Sequence, residues 1–337
     1  MKPEELLIAF TDLEDDIVLD AREPLSKGRG RRLSLLPAAA MVAMMLIGCA
    51  YAVFSEADWF KNFFEEKTEQ ALSEEQAAYV DEHTQQIAQS VTVDGYTITV
   101  ESAIADKYDA YIKLTFRAPE GVVLDAESYL DAIPLDENGA PILPFARADG
   151  KTISYHGTLS PIEDGNLTDN VHGILYNLHL NPDYGFSFDD GSVWTLDFHD
   201  MTAYYDDGRE TVVAKGLWHF DIVFERISTH EIEFLTERQP YTVTIYENGD
   251  PTCQDVTITS VKLRTMTGEL TFEGLQDAFR AAGFAALPVV MKDGSSVEMC
   301  MNSAGNGQLK YSLSAPILLE EVDHILLPDG TKLMMPQ

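Results

Sequence analysis

Val91-Thr-Val-Asp-Gly-Tyr-Thr-Ile-Thr-Val100 sets β-forming residues on both sides of Asp94-Gly95. Val, Ile, Thr and Tyr suit a pleated, half-buried surface, and Asp-Gly supplies the left-handed backbone of a tight hairpin turn. The stretch therefore predicts two paired strands, and Ala110-Tyr-Ile-Lys-Leu-Thr-Phe116 predicts a third.

The same texture continues toward the C-terminus. Gly173–Leu180, Val193–Phe198 and Gly216–Phe224 read as strands, separated by the turns Asp136-Glu-Asn-Gly139, Asp189-Asp-Gly191 and Asp206-Asp-Gly208. A second unit follows: Tyr241–Tyr246, Val256–Leu263 and Glu269–Phe272, a short helix-like Gly274–Arg280, and hairpins around Asp293-Gly294 and Asp329-Gly330. Short strands with frequent turns and little helical periodicity predict a mainly β chain of two sandwich domains, at residues 91–237 and 238–337.

Before Val91 the character changes. Leu33–Phe54 is an uncharged run of 22 residues. At ~1.5 Å per helical residue it is long enough to cross a hydrocarbon core of about 30 Å. Arg29, Arg31 and Arg32 precede it and Glu56 and Asp58 follow, so the positive flank places the N-terminus in the cytoplasm. Leu46-Ile-Gly-Cys49 and Ala50-Tyr-Ala52 offer lipoprotein and signal-peptidase cleavage as alternatives, but the long acidic segment before the run favours a retained anchor.

Residues 1–32 read as a cytoplasmic helix and basic linker. Leu6, Phe10, Leu13 and Ile17 recur at spacings of four, three and four, which gathers them into one stripe. A short amphipathic helix is marginal alone in water, so the stripe predicts a docking helix for a cytoplasmic protein. Its acids disfavour an anionic leaflet. Trp59, Phe60, Phe63 and Phe64 crowd one helix face just after the run and read as an aromatic belt at the membrane interface. Ser73-Glu-Glu-Gln76 has the pattern of a capping box, so residues 55–90 are expected to form a helical stalk.

Charge and chemistry narrow the function. The net charge is −33; residues 1–54 carry six Lys+Arg and eight Asp+Glu, leaving 17 and 48, or −31, for the rest. Such a field repels nucleic acid, which is bound by neutralising phosphates with cations. Two cysteines remain outside the apolar run, Cys253 and Cys300, too few for a disulfide framework. The eight histidines show no zinc spacing, and no hydrolase, P-loop or dinucleotide motif is present. No cofactor, metal or catalytic residue is expected.

Three features carry a resemblance to Gram-positive bacterial membrane proteins defined by the domain of unknown function 4179. The first is Glu4–Ala21 followed by basic residues and a single span ending Ala50-Tyr-Ala52. The second is the strand region Val91–Phe116 with Gly216–Phe224, similar to the terminal strand of that family's first domain. The third is Val289-Val-Met-Lys-Asp-Gly-Ser295 with Pro316–Ile325, similar to an immunoglobulin-like unit that often follows. The resemblance implies an Ig-like second domain and an anti-sigma-like or envelope-sensing architecture, with a sigma factor as the partner of residues 4–21. It supplies no site residues.

The expectation is therefore a single-pass envelope membrane protein that is non-enzymatic and regulatory, in contact with the lipid bilayer and a cytoplasmic protein, with an unidentified extracellular ligand. An envelope-anchored binding or adhesion module is the alternative, and an exported hydrolase a third reading.

Overall fold

The computed structural model describes residues 56–131, 145–151, 153–162, 169–181, 184–234, 238–247, 250–275, 283–305 and 307–335. The expected docking helix, basic flank, span at 33–54 and Asp136–Gly139 turn lie outside these residues. Among the described residues, no helix is long and apolar enough to cross a membrane.

The opening hairpin forms as its chemistry requires. Strands β1 (Gln85–Val93) and β2 (Tyr96–Asp106) pair antiparallel with Val93 opposite Tyr96. Asp94 and Gly95 make the turn at φ +50° and +85°, the conformation of a type I′ hairpin. β3 (Asp109–Arg117), β6 (Tyr155–Ile162) and β7 (Val171–Leu180) extend this sheet in the order β1-β2-β3-β7-β6. A two-residue strand, β10 (Ile227–Ser228), joins parallel to β2.

A second sheet centres on β8 (Trp194–Tyr204), paired with β4 (Ser128–Asp131), β5 (Phe145–Arg147) and β9 (Glu210–Ile222). The two sheets share one apolar core in which Phe116, Phe145, Trp194 and Trp218 are at most 2% exposed. The first sheet's edges are both blunted. At β1 the register shifts between Gln86 and Gln89, with Ala88 at φ +53°, and Gln89 Nε2 donates across to the Asp221 carbonyl at 2.9 Å. At β6 sits Pro161, which has no amide to donate.

The C-terminal part is a single antiparallel sheet. Its strands are β11 (Glu231–Phe234), β12 (Gln239–Glu247), β13 (Asp250–Arg264), β14 (Thr267–Glu273), β15 (Ala286–Met291), β16 (Ser296–Gly305), β17 (Gln308–Leu313), β18 (Val322–Leu326) and β19 (Lys332–Met334). They run β11-β13-β14-β17-β16-β15-β18-β19, with β12 also on β13. The strands are joined in one hydrogen-bonded sheet where two were expected. β13 is 15 residues long and shifts register between Ile258 and Ser260. Both β11 and β12 lie on its one edge, so the strands stay in one hydrogen-bonded ladder.

The expected stalk is also corrected. Residues 56–68 form helix α1, and α2 (Glu74–His83) opens with the predicted capping box: Ser73 Oγ accepts from Gln76 N at 3.1 Å and Gln76 Oε1 accepts from Ser73 N at 2.9 Å. Neither helix stands apart. Phe60, Phe64 and Val80 are 0%, 1% and 0% exposed, in one cluster with Ile104 and Tyr111 of the first sheet and Leu313 and Ile317 of the C-terminal part. Glu56 fixes the start of α1: it pairs with Lys113 Nζ at 2.9 Å and accepts from Ser102 Oγ at 2.7 Å. The polar run Gln85-Gln-Ile-Ala-Gln-Ser90, expected as the end of the stalk, is strand β1. Residues Cys49–Gln337 cluster as one unit.

A buried carboxylate joins the two β parts. Asp106 and Asp109 bound the turn between β2 and β3, and both are 0% exposed. Asp106 Oδ1 accepts from the amides of Tyr108 (2.9 Å) and Asp109 (2.8 Å), holding its own turn closed. Its Oδ2 reaches the turn between β13 and β14, accepting from Met266 N (3.1 Å) and Thr267 Oγ1 (3.0 Å). Asp109 accepts from His179 on β7 and from Ser312 on β17. Lys310 Nζ adds a 2.8 Å bond to Asn181. Burial, and then the charge of Asp109, raise the Asp106 pKa from 3.8 to about 6, against the lowering influence of the turn amides and Arg264.

Two measurements follow. Phe60→Ala removes a fully enclosed ring and is expected to destabilise the full chain by about 3–5 kcal/mol in denaturant titration; a change under about 0.5 kcal/mol is the result for a free-standing stalk. Between pH 4 and pH 6 folded Asp106 holds a proton that the unfolded chain has released. Its contribution is therefore present at low pH and lost as pH rises through its folded value. Wild type should lose about 3 kcal/mol more stability than Asp106→Asn between pH 4 and pH 7.5; parallel pH profiles would refute the assignment.

Candidate ligand groove

α1 lies across the outer face of the first sheet, and beside it opens a groove of about 750 Å³. Trp59, Asn62, Phe63, Glu66 and Lys67 line one side, since residues three and four apart share a helix face. The other side is the sheet. Tyr111, Asn177 and Thr158 are directly paired across β3, β7 and β6, and Leu175 and Ser160 form the next pair along. Pro161 and Ile162 close that side. The volume lies within the ~300–1,000 Å³ typical of small-molecule sites.

The aromatic rings are already packed on one another. Trp59 and Phe63 stack at 5.6 Å with planes 7° apart, and Phe63 and Phe64 each lie 5.6 Å from Tyr111. Lys113 Nζ sits 5.2 Å over Trp59 while it pairs with Glu56. Lys67 is exposed, but its Nζ turns toward the rings, 5.1 Å from the Tyr111 centroid and 3.0 Å from its hydroxyl. Among the described residues, no carboxylate lies within ion-pair distance of Lys67. Enclosure by the groove walls lowers its pKa, opposed by the attraction of Asp109. Burial pushes the Tyr111 phenol well above its usual range. Asn177 Oδ1 is buried without a hydrogen-bond partner among the described residues.

A smaller groove of about 490 Å³ separates α2 from the C-terminal part. Glu75, Glu82 and Glu320 stand around an apolar floor that includes Ile227, Ile317 and Leu319. Among the described residues, no group of three His, Cys, Asp or Glu is placed to hold a metal ion. Cys253 and Cys300 are free thiols, so the pairing left open by the sequence is not made.

Of the residues singled out from sequence, four reach this region, in a role other than the expected belt. Phe60 and Phe64 are buried against protein, and Trp59 and Phe63 are partly buried and packed on the same core. The amphipathic spacing was real, but its apolar face meets sheets. Leu6, Phe10, Leu13, Ile17, Arg29, Arg31 and Arg32 lie outside the described residues. Sequence reading passed over Lys67, Tyr111 and Asn177. The available signal was Lys67, following the Trp-Phe-x-x-Phe-Phe face in a strongly acidic region.

The comparisons with known proteins are few. A conserved domain protein from Bacillus anthracis, solved by crystallography, is similar at 12% identity over 72% of this chain and 75% of that one, with a TM-score of 0.45. A TarS fragment from S. aureus is similar at 10% identity over 77% of this chain and 74% of that one, with a TM-score of 0.18. No curated protein matches the sequence. Residues 27–118, from the basic flank through β3, match the profile of the family described as domain of unknown function (DUF4179).

Proposed function

We propose that the chain is a single-pass regulatory protein of the bacterial envelope, anti-sigma-like or envelope-sensing, in which residues 33–54 span the membrane. The β parts would face outward and residues 4–21 would dock a cytoplasmic protein, a sigma factor in the anti-sigma-like form of the reading. One observation carries it. The helix that begins two residues after the apolar run is seated in the β core by Phe60, Phe64 and the Glu56–Lys113 pair. A ligand that repacked the β parts would shift that helix, whereas a flexible linker would absorb the change. The proposal is non-enzymatic.

The groove favours a second reading, an envelope-anchored binding module whose N-terminal helix has no regulatory role. Deleting residues 2–22 separates the two. The full chain, captured from detergent-solubilised membranes, is expected to bring down a specific cytoplasmic protein that the deletion loses. The same loss is expected from Leu6→Asp with Leu13→Asp, since a charge on the stripe costs the buried contact. Identical captures with and without residues 2–22 would leave the binding module. A chain found outside the membrane fraction would overturn both readings.

A further inference from the structure

The α1 groove combines an apolar wall with an ammonium that, among the described residues, has no carboxylate within ion-pair distance. The surrounding 55–337 region holds 17 cations against 48 acids, so most cations have an acid to pair with. Lys113, on β3, pairs with Glu56. Lys67 instead meets a phenol hydroxyl and two ring faces. An ammonium held this way keeps N–H donors available to an incoming acceptor.

The remaining walls specify what the acceptor is attached to. Phe63, Leu175 and Ile162 offer apolar surface, while Thr158 and Ser160 add hydroxyls on the sheet side. A small inorganic anion would leave the apolar wall wet. A neutral apolar molecule would leave Lys67 unpaired. We infer that the α1 groove binds an amphiphile with a single anionic head, its head on Lys67 and its apolar body along Phe63, Ile162 and Leu175. Glu66 stands at the rim and sets an upper limit on head charge: a second negative group would meet a carboxylate. On the proposed membrane topology, such a ligand would touch α1 itself and so act on the helix that follows the span.

Trp59 makes the site readable. Trp194 and Trp218 are 0% exposed in the other core, and Trp59 is the partly exposed tryptophan among the three. The full chain is reconstituted in phosphatidylcholine nanodiscs and titrated with dodecanoate, dodecanol or acetate while tryptophan emission is followed. Dodecanoate is expected to give a saturable change that Trp59→Phe removes and that Lys67→Gln shifts to at least tenfold higher concentration, the size of one charge-assisted contact. Lys332→Gln, an exposed lysine outside the groove, is expected to match wild type. An equal response to dodecanol would overturn the anionic head, and an equal response to acetate would overturn the amphiphile. An unshifted curve for Lys67→Gln, or no response, would overturn the site. Co-migration of the chain with the discs is scored separately and reports on the membrane anchor alone.

Discussion

Asp106 is the constraint on which the rest of the molecule depends. One carboxylate, fully enclosed, satisfies four donors from two hairpin turns that are 160 residues apart in sequence. Enclosing a charge is costly, and four hydrogen bonds offset part of that cost, the remainder showing as the raised pKa. The arrangement fixes orientation as well as distance. The two acceptor atoms face different turns, so the first sheet and the C-terminal sheet cannot rotate past each other without breaking a pair of bonds. Asp109, three residues on, repeats the device with His179 and Ser312. The two β parts therefore have separate apolar cores joined by a polar seam, and the helices pack into the core on the C-terminal side of that seam.

Seen this way, α1 is a structural member of both β parts. Its first described residue, Glu56, bonds to β2 and β3, and its middle is buried beside residues from the C-terminal part. Lys61 extends the tie to α2 through Asp81 at 2.5 Å, and Gln76 Nε2 continues it to the Pro316 carbonyl at 2.7 Å. A displacement at either β part has a short, mostly buried path to the residues next to the apolar run. This path is a physical basis for the proposed regulatory role, and the groove lies alongside it.

What could be read from the sequence was local. Asp94-Gly95 declared its turn because two adjacent left-handed residues are rarely tolerated elsewhere, and Asp293-Gly294 and Asp206-Asp-Gly208 marked real strand junctions because Gly294 and Gly208 each supply one left-handed position. The capping box at Ser73 was legible because both of its bonds lie within four residues. The sequence was silent where partners are distant. β3 pairs with β7 across a gap of more than 50 residues, and β14 pairs with β17. An aromatic helix face looks the same whether it is to meet lipid or a sheet, so Trp59, Phe60, Phe63 and Phe64 were assigned the wrong neighbour. Gln85–Ser90 carries almost no β-forming residues and is a strand only because β2 provides the edge. Lys67 could not be recognised as part of a groove until Tyr111, Leu175 and Asn177 were seen to lie opposite it.

The blunted edges of the first sheet have a consequence for crowding. An open strand edge presents unpaired amides and carbonyls that a neighbouring copy can zip onto, and the proposed membrane anchor would hold copies in a plane at high local concentration. The bulge at Ala88 interrupts that template at one edge and Pro161 removes a donor at the other. Copies of this chain packed side by side would thus meet edges that resist intermolecular β-pairing, and a strongly acidic surface would hold them apart. Replacing Pro161 by a residue with an amide would restore a ladder site, and with it a route from dispersed molecules to fibrous aggregates.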